Sequence, residues 1–263
     1  MTPLFWAAAS LYAAAAVLFL GFLVGMTDKV LPWARRALAA GIVVHLAHLG
    51  AHGISGIHPV SSVREIIGFL AWVAVGVFFF VEFFVERRRP LDAVGAIVAP
   101  GALILLLAAG LSPASDTSTL TLGIVGRVHI LLSSIGISIF AVAAASAILY
   151  LLEERQLKRR RLSSLVKKGT ALETLDAIAL KCVKIGFPIF TVALVAGVVW
   201  SAQISIGIRP EHVIAGAAWL AFALVLVARL TAGWRGRRAA AITLFGFAST
   251  IVVLGVYLVR AVA

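Results

Sequence analysis

Cysteine is nearly missing from this chain of 263 residues, which has only Cys182, and acidic residues are scarce, with eleven Asp and Glu against 23 Lys and Arg. A single thiol excludes a disulfide framework and a dithiol pair for electron transfer. It reads as a buried, inert group. Charge of both signs is also in short supply: charged residues make up 13% of the chain and hydrophobic ones 62%, whereas soluble domains are about half apolar. With a mean hydropathy of +1.08, the chain is expected to be an integral membrane protein.

Long apolar runs are what it does have. Stretches of the length a helical crossing requires fall at 4–24, 37–55, 66–85, 91–111, 124–151, 183–202, 213–230 and 241–259. The expected fold is an all-α bundle of about eight transmembrane helices, forming a single transmembrane domain over residues 1–263. The first run has no basic segment before it and no clear small-residue cleavage site, so it is expected to remain as the first helix.

The formal net charge of +12 would suggest nucleic acid as the partner of a soluble protein. Here the basic residues sort by loop instead, and a lipid bilayer, not nucleic acid, is the expected partner. One set of loops holds Lys29, Arg35 and Arg36, then Arg87 to Arg89, then the basic residues between Arg155 and Lys184, then Arg229, Arg235, Arg237 and Arg238. The other side has Arg64, Arg127, Arg209 and Arg260. The positive-inside rule makes the first set cytoplasmic and puts both termini on the outer, periplasmic side of a bacterial cytoplasmic (inner) membrane.

The sizeable polar segment, 153–182, is expected to be a basic cytoplasmic loop. Arg159 to Arg161, Lys167 and Lys168 would form a collar on anionic headgroups, and Thr170-Ala171-Leu172-Glu173 matches a helix capping box. A short amphipathic helix over 171–181 would then run along the membrane surface. Pro100 and Pro188 are expected to bend their helices. Residues 112–119 read as a turn-rich outer loop.

Ionisable groups inside a membrane are costly and mark candidate sites. His45, His48 and His52 lie within about 60° of one another around one helix, on a single face. His129 is near the outer end of the fifth span, His212 opens the seventh, and His58 lies in an outer loop. Imidazole is a common ligand to haem iron and to transition metals. Two histidines on one helix cannot reach both faces of one haem, so a second helix must contribute, and His129 is the favoured donor. His48 and His52 could instead chelate a divalent metal, with Glu65 or His58 completing the shell. A third reading makes these rings interhelical hydrogen-bonding groups. Arg64, Arg127 and Arg209 suit carboxylates such as propionates, or lipid headgroups. Trp200 suits the membrane interface or packing on a porphyrin. Glu82 is expected to reach the cytoplasmic interface.

From the fifth span onward, short motifs recur in a characteristic order: His129-Ile130-Leu131-Leu132, then Tyr150-Leu151-Leu152-Glu153-Glu154-Arg155, Leu172-Glu173-Thr174-Leu175 and Gly186-Phe187-Pro188. Ala196-Gly197-Val198-Val199-Trp200, Gly233-Trp234-Arg235-Gly236-Arg237-Arg238 and Gly246-Phe247 follow. In these the chain resembles the CcsA/ResC family of cytochrome c assembly proteins, in its eight-span HemX-like branch. The resemblance implies a non-enzymatic membrane factor that binds or relays haem b, permanently or in passing, near the outer face. Its partners would be haem, apocytochrome c and other assembly proteins. His129 takes the place of an upstream haem ligand and Trp200 that of the first tryptophan of the haem platform. His45, His48 and His52 correspond to an intramembrane haem site. Arg127 and Arg209 are the expected propionate partners, and His212 a substitute ligand.

The chain departs from the family where the motif Trp-Gly-x-x-Trp-x-Trp-Asp-Pro is expected. It has Gln203-Ile204-Ser205-Ile206-Gly207-Ile208-Arg209-Pro210-Glu211, without tryptophan or aspartate. That departure implies a factor that does not itself make the thioether bond. The alternatives are a non-catalytic scaffold or complex subunit of the same fold that has lost haem handling, and a divalent-metal-binding membrane protein using His129, His48 and His52.

Overall fold

Small side chains decide how closely the helices approach. In the computed structural model, which describes residues 2–55, 62–85, 91–112, 123–158, 171–205, 207 and 209–262, eight helices are long and apolar enough to cross a membrane. They are α1 (Pro3–Val24), α2 (Leu31–Ile54), α3 (Val63–Phe80, continued by a π-helical turn Val81–Val85), α4 (Asp92–Leu111), α5 (Ile124–Lys158), α6 (Leu172–Gln203), α7 (Pro210–Thr231) and α8 (Arg237–Val262). A 3-10 turn, Asp28–Val30, joins α1 to α2. The described part of the chain is a multi-pass helical bundle without strands.

The bundle has two halves. In the first, α1 packs on α2 and α4, and α3 on α4 with α2 alongside. Ala8, Ala15, Ala34, Ala71 and Ala99 are fully buried there, and such residues let membrane helices come close. Phe19 stands edge-on to Phe78 at 6.3 Å. In the second half α5 packs along α6, α7 on α8, and α5 on α8. Its centre is the stacked pair Phe140 and Phe222, 3.7 Å apart. Room for that pair comes from Gly186 and Gly246, where an added Cβ would lie 2.8 Å from Phe140 and 3.0 Å from Phe222. Contacts of α3 and α4 with α5 join the halves.

Successive helices run antiparallel, as their end-to-end contacts show. Thr2, which caps the start of α1, meets His48 near the end of α2, and Arg64 at the start of α3 donates to the Ser112 carbonyl at the end of α4, 3.3 Å away. These groups lie at what is called here the histidine end. At the opposite, basic end Arg35 pairs with Glu82 at 2.9 Å and Asp92 at 2.8 Å, tying α2, α3 and α4 together. Glu82 is thus folded inward onto Arg35 instead of reaching the interface; the π-helical turn carries it, and both carboxylates are buried. In the second half, Asp176 of α6 accepts two bonds from Arg229 of α7 at 2.8 and 2.5 Å, and one from the Gly236 backbone N–H at 3.0 Å. One carboxylate thereby clips three helices.

Several sequence expectations shift. The stretch 171–181 is no separate surface helix but the opening of α6, which runs unbroken for 32 residues. Asp176 is the reason: its clip to Arg229 holds the stretch along the bundle. The N-cap of α6 is Ala171, with no side-chain cap bond, and Thr170, on which the anticipated capping box depends, lies outside the described residues. At the start of α7, the His212 side chain accepts from the Arg209 backbone N–H at 3.0 Å, and the His212 backbone N–H donates to the Arg209 carbonyl at 3.0 Å. Helices α4 and α6 continue through Pro100 and Pro188. At 35 residues, α5 is about 52 Å long against a hydrocarbon layer of about 30 Å. The basic collar 159–170, His58 and most of the expected outer loop lie outside the described residues.

Arg229→Met should leave the half-buried Asp176 carboxylate without its cation and lower stability by about 1–3 kcal/mol. Thermal unfolding in detergent, followed by circular dichroism, measures this. Arg229→Met combined with Asp176→Asn should recover part of the loss, and an unchanged unfolding profile would remove the clip from the account.

Candidate functional site

The histidines of the second span do share a face, and the ring centroids of His45 and His48 are 6.2 Å apart and those of His48 and His52 4.3 Å. That face turns into the first half of the bundle. His45 is fully buried and its Nδ1 lies 3.2 Å from the hydroxyl of Tyr12 on α1. Gly41 makes this contact possible, because a Cβ there would come 2.6 Å from the tyrosine ring. His48 Nδ1 is 2.9 Å from the Thr2 hydroxyl, and the ring stands edge-on to Phe5. His52 Nδ1 lies 3.4 Å from Glu65 Oε2 on α3. A carboxylate accepts, so this nitrogen donates.

Phe5, the three histidines, Arg64 and Glu65 line a cleft enclosing about 20 Å³, room for about one water. His45 Nε2 is buried with no hydrogen-bond partner among the described residues. Among those residues no three His, Cys, Asp or Glu side chains are grouped as a divalent-metal shell.

His129 stands elsewhere, on α5 against α6. Its Nδ1 lies 2.7 Å from the backbone carbonyl oxygen of Ala193. A carbonyl only accepts, so Nδ1 carries the proton and, in the neutral ring, Nε2 has a bare lone pair. Gly197 permits the approach, since a Cβ there would come 2.7 Å from the ring's Cε1 and 2.8 Å from Nδ1. Trp200, one turn further along α6, lies beside the imidazole with ring centroids 5.9 Å apart.

His212 has the opposite arrangement. Its Nδ1 accepts from the Arg209 backbone N–H at 3.0 Å, and its Nε2 lies 3.1 Å from the Ser201 hydroxyl. Both ring nitrogens are engaged, Nδ1 within the start of α7 and Nε2 with Ser201 at the end of α6, and neither is left for a metal. Arg127 and Arg209 are exposed, with Arg209 also 3.9 Å from Glu211.

The structure therefore brings His45, His48 and His52 together, and His129 with Trp200, but in two separate centres. The expected pairing of His129 with the α2 stripe does not appear, for a topological reason: α2 packs chiefly on α1, and α5 on α6. Sequence reasoning missed Thr2, Tyr12, Gly197 and the Ala193 carbonyl. Tyr12 gave a signal, being a hydroxyl in an alanine-rich span that must find a partner. A backbone acceptor gives none.

A multi-pass helical bundle with ligand-capable imidazoles near one end is the class these features define. Residues 60–263 match the family model described as Cytochrome C assembly protein, and the chain belongs to that family. The matched stretch includes His129, Gly197, Trp200 and His212, whereas His45, His48 and His52 precede it. The cytochrome c biogenesis protein CcsA of Guillardia theta is 30% identical over 224 residues, covering 73% of this chain and 71% of that protein. The protein of the same name from Synechococcus sp. (strain RCC307) is 28% identical over 240 residues, covering 78% and 74%. That of Synechocystis sp. is 26% identical, covering 82% and 83%.

Tyr12→Phe should strand His45 Nδ1 inside the bundle, at a cost of about 1–3 kcal/mol. In a double-mutant cycle by thermal unfolding, Tyr12→Phe and His45→Ala should be strongly non-additive. Additive losses would show that the hydroxyl and the imidazole do not interact.

Proposed function

We propose that this membrane protein of cytochrome c biogenesis binds haem b at Nε2 of His129 and holds it near the outer face of a bacterial cytoplasmic membrane for other assembly proteins or apocytochrome c. The observation that carries this reading is the bond from Nδ1–H to the Ala193 carbonyl. It sets the ring in the tautomer that haem iron requires, with the ligating nitrogen already stripped of its proton. Haem, when bound, supplies the group that becomes joined to apocytochrome c.

The chain's own residues bind and orient. Trp200 gives an aromatic surface beside the imidazole. Arg127, on α5 with His129, and Arg209, before α7, offer guanidinium groups whose planar fork suits a propionate. His212 keeps Arg209 and the start of α7 in place and is not a ligand in this reading. The sorting of basic residues by loop supports termini on the outer side. The match to the family described as Cytochrome C assembly protein supports an assembly role.

The stripe His45, His48 and His52 is chemically able to ligate, but its cleft of about 20 Å³ does not fit a porphyrin. Haem would enter there only if α1 and α2 parted from α3 and α4. His129 is therefore the primary haem ligand of this reading.

Protein purified from cells with ample haem should show Soret absorbance that His129→Ala abolishes and His212→Ala preserves. Absence of haem from the unmodified protein, or a spectrum indifferent to His129→Ala, would overturn the proposal.

A further inference from the structure

We propose that Gly197 and the backbone carbonyl of Ala193 form a socket in α6 that fixes the tautomer and direction of His129, making Gly197 a positioning residue for the ligating nitrogen. This rests on the reading of His129 as a haem ligand.

The geometry is that of a ring laid directly on helix backbone. Ala193 and Gly197 are one turn apart, so the Ala193 carbonyl already accepts the Gly197 N–H within the helix. Its second lone pair is free to take a side-chain donor, provided that donor can reach past whatever residue 197 carries. With glycine there, the imidazole Nδ1 reaches 2.7 Å from the oxygen. A methyl group at 197 would stand 2.7 Å from Cε1, 2.8 Å from Nδ1 and 3.5 Å from Nε2, so the ring would have to leave. Ala193 itself is fully buried, so the turn cannot retreat.

An alternative partner is close at hand. The Ser133 hydroxyl, one turn along α5, is 3.5 Å from the same Nδ1. Unlike a carbonyl, a hydroxyl can donate as well as accept. A ring displaced from the socket onto Ser133 could take the other tautomer, with the proton on Nε2, where it blocks ligation. Gly197 therefore does more than make room: it forces the choice of an acceptor-only partner. The bond also makes the imidazole a stronger donor to iron, which favours the ferric state.

The test uses the full chain in detergent with histidine labelled by 15N, with and without haem. Solid-state NMR of the haem-free protein, with the His129 signals identified by their loss in His129→Asn, should show Nδ1 protonated and Nε2 bare. Gly197→Ala should give a mixture of tautomers, a fall of about 10–100-fold in haem affinity, and a higher midpoint potential for the haem that remains. Gly216→Ala, at a helical glycine with nothing within 4 Å of the added carbon, should change none of these. A proton on Nε2 in the unmodified protein would overturn the socket without recourse to any variant. Haem binding with tautomer and potential unmoved by Gly197→Ala would overturn it while leaving His129 as ligand. Failure of the unmodified protein to bind haem would overturn the functional reading beneath it.

Discussion

Without water in the hydrocarbon layer, a polar group in this bundle is costly unless it finds a partner within the chain. Most hydroxyls solve this locally: Ser134, Ser146, Thr191 and Thr243 each donate to the carbonyl four residues earlier on their own helix. Groups too long for that solution tie helices together. Trp72 donates to the Ile42 carbonyl from α3 to α2, Trp219 to the Thr191 hydroxyl from α7 to α6, and Asp176 gathers Arg229 and Gly236. Apolar packing sets which helices touch, and these bonds fix their register.

The same constraint separates the histidines by chemical consequence. His212 satisfies both nitrogens and becomes a structural group. His129 satisfies one with a backbone carbonyl and is left with the other bare. His45 sits deepest, with one nitrogen on Tyr12 and the other without a partner among the described residues. Three imidazoles of the same residue type thus differ in what they can bind, and the difference is set by what each ring leans on.

Much of this was legible in the sequence. Apolar runs gave eight spans because a span's length is fixed by the bilayer, and the three histidines on α2 share a face because helical periodicity requires it. Boundaries at the basic end were less legible. The polarity of 171–181 reads as a surface helix, yet Asp176 draws it into α6, and Arg35 draws Glu82 inward. Partnering across the bundle was least legible of all. His129 and the α2 stripe looked like two halves of one site, because spacing along a chain carries no information about which helices are neighbours. Gly197 was visible only as part of a motif, since its role is defined by a ring 68 positions earlier.

The central claim is that haem sits at the His129 centre, in the half of the bundle formed by α5 to α8, and not in the α2 cleft. Both centres lie at the same end of the molecule, so depth in the membrane does not distinguish them, but lateral position does. Nitroxide labels at the exposed positions Val199 on α6 and Leu46 on α2 would report it through relaxation by ferric haem in the loaded protein, each measured in a Cys182→Ser background. The account predicts strong relaxation enhancement at 199 and weak enhancement at 46; the reverse order would place the haem in the α2 cleft and contradict it.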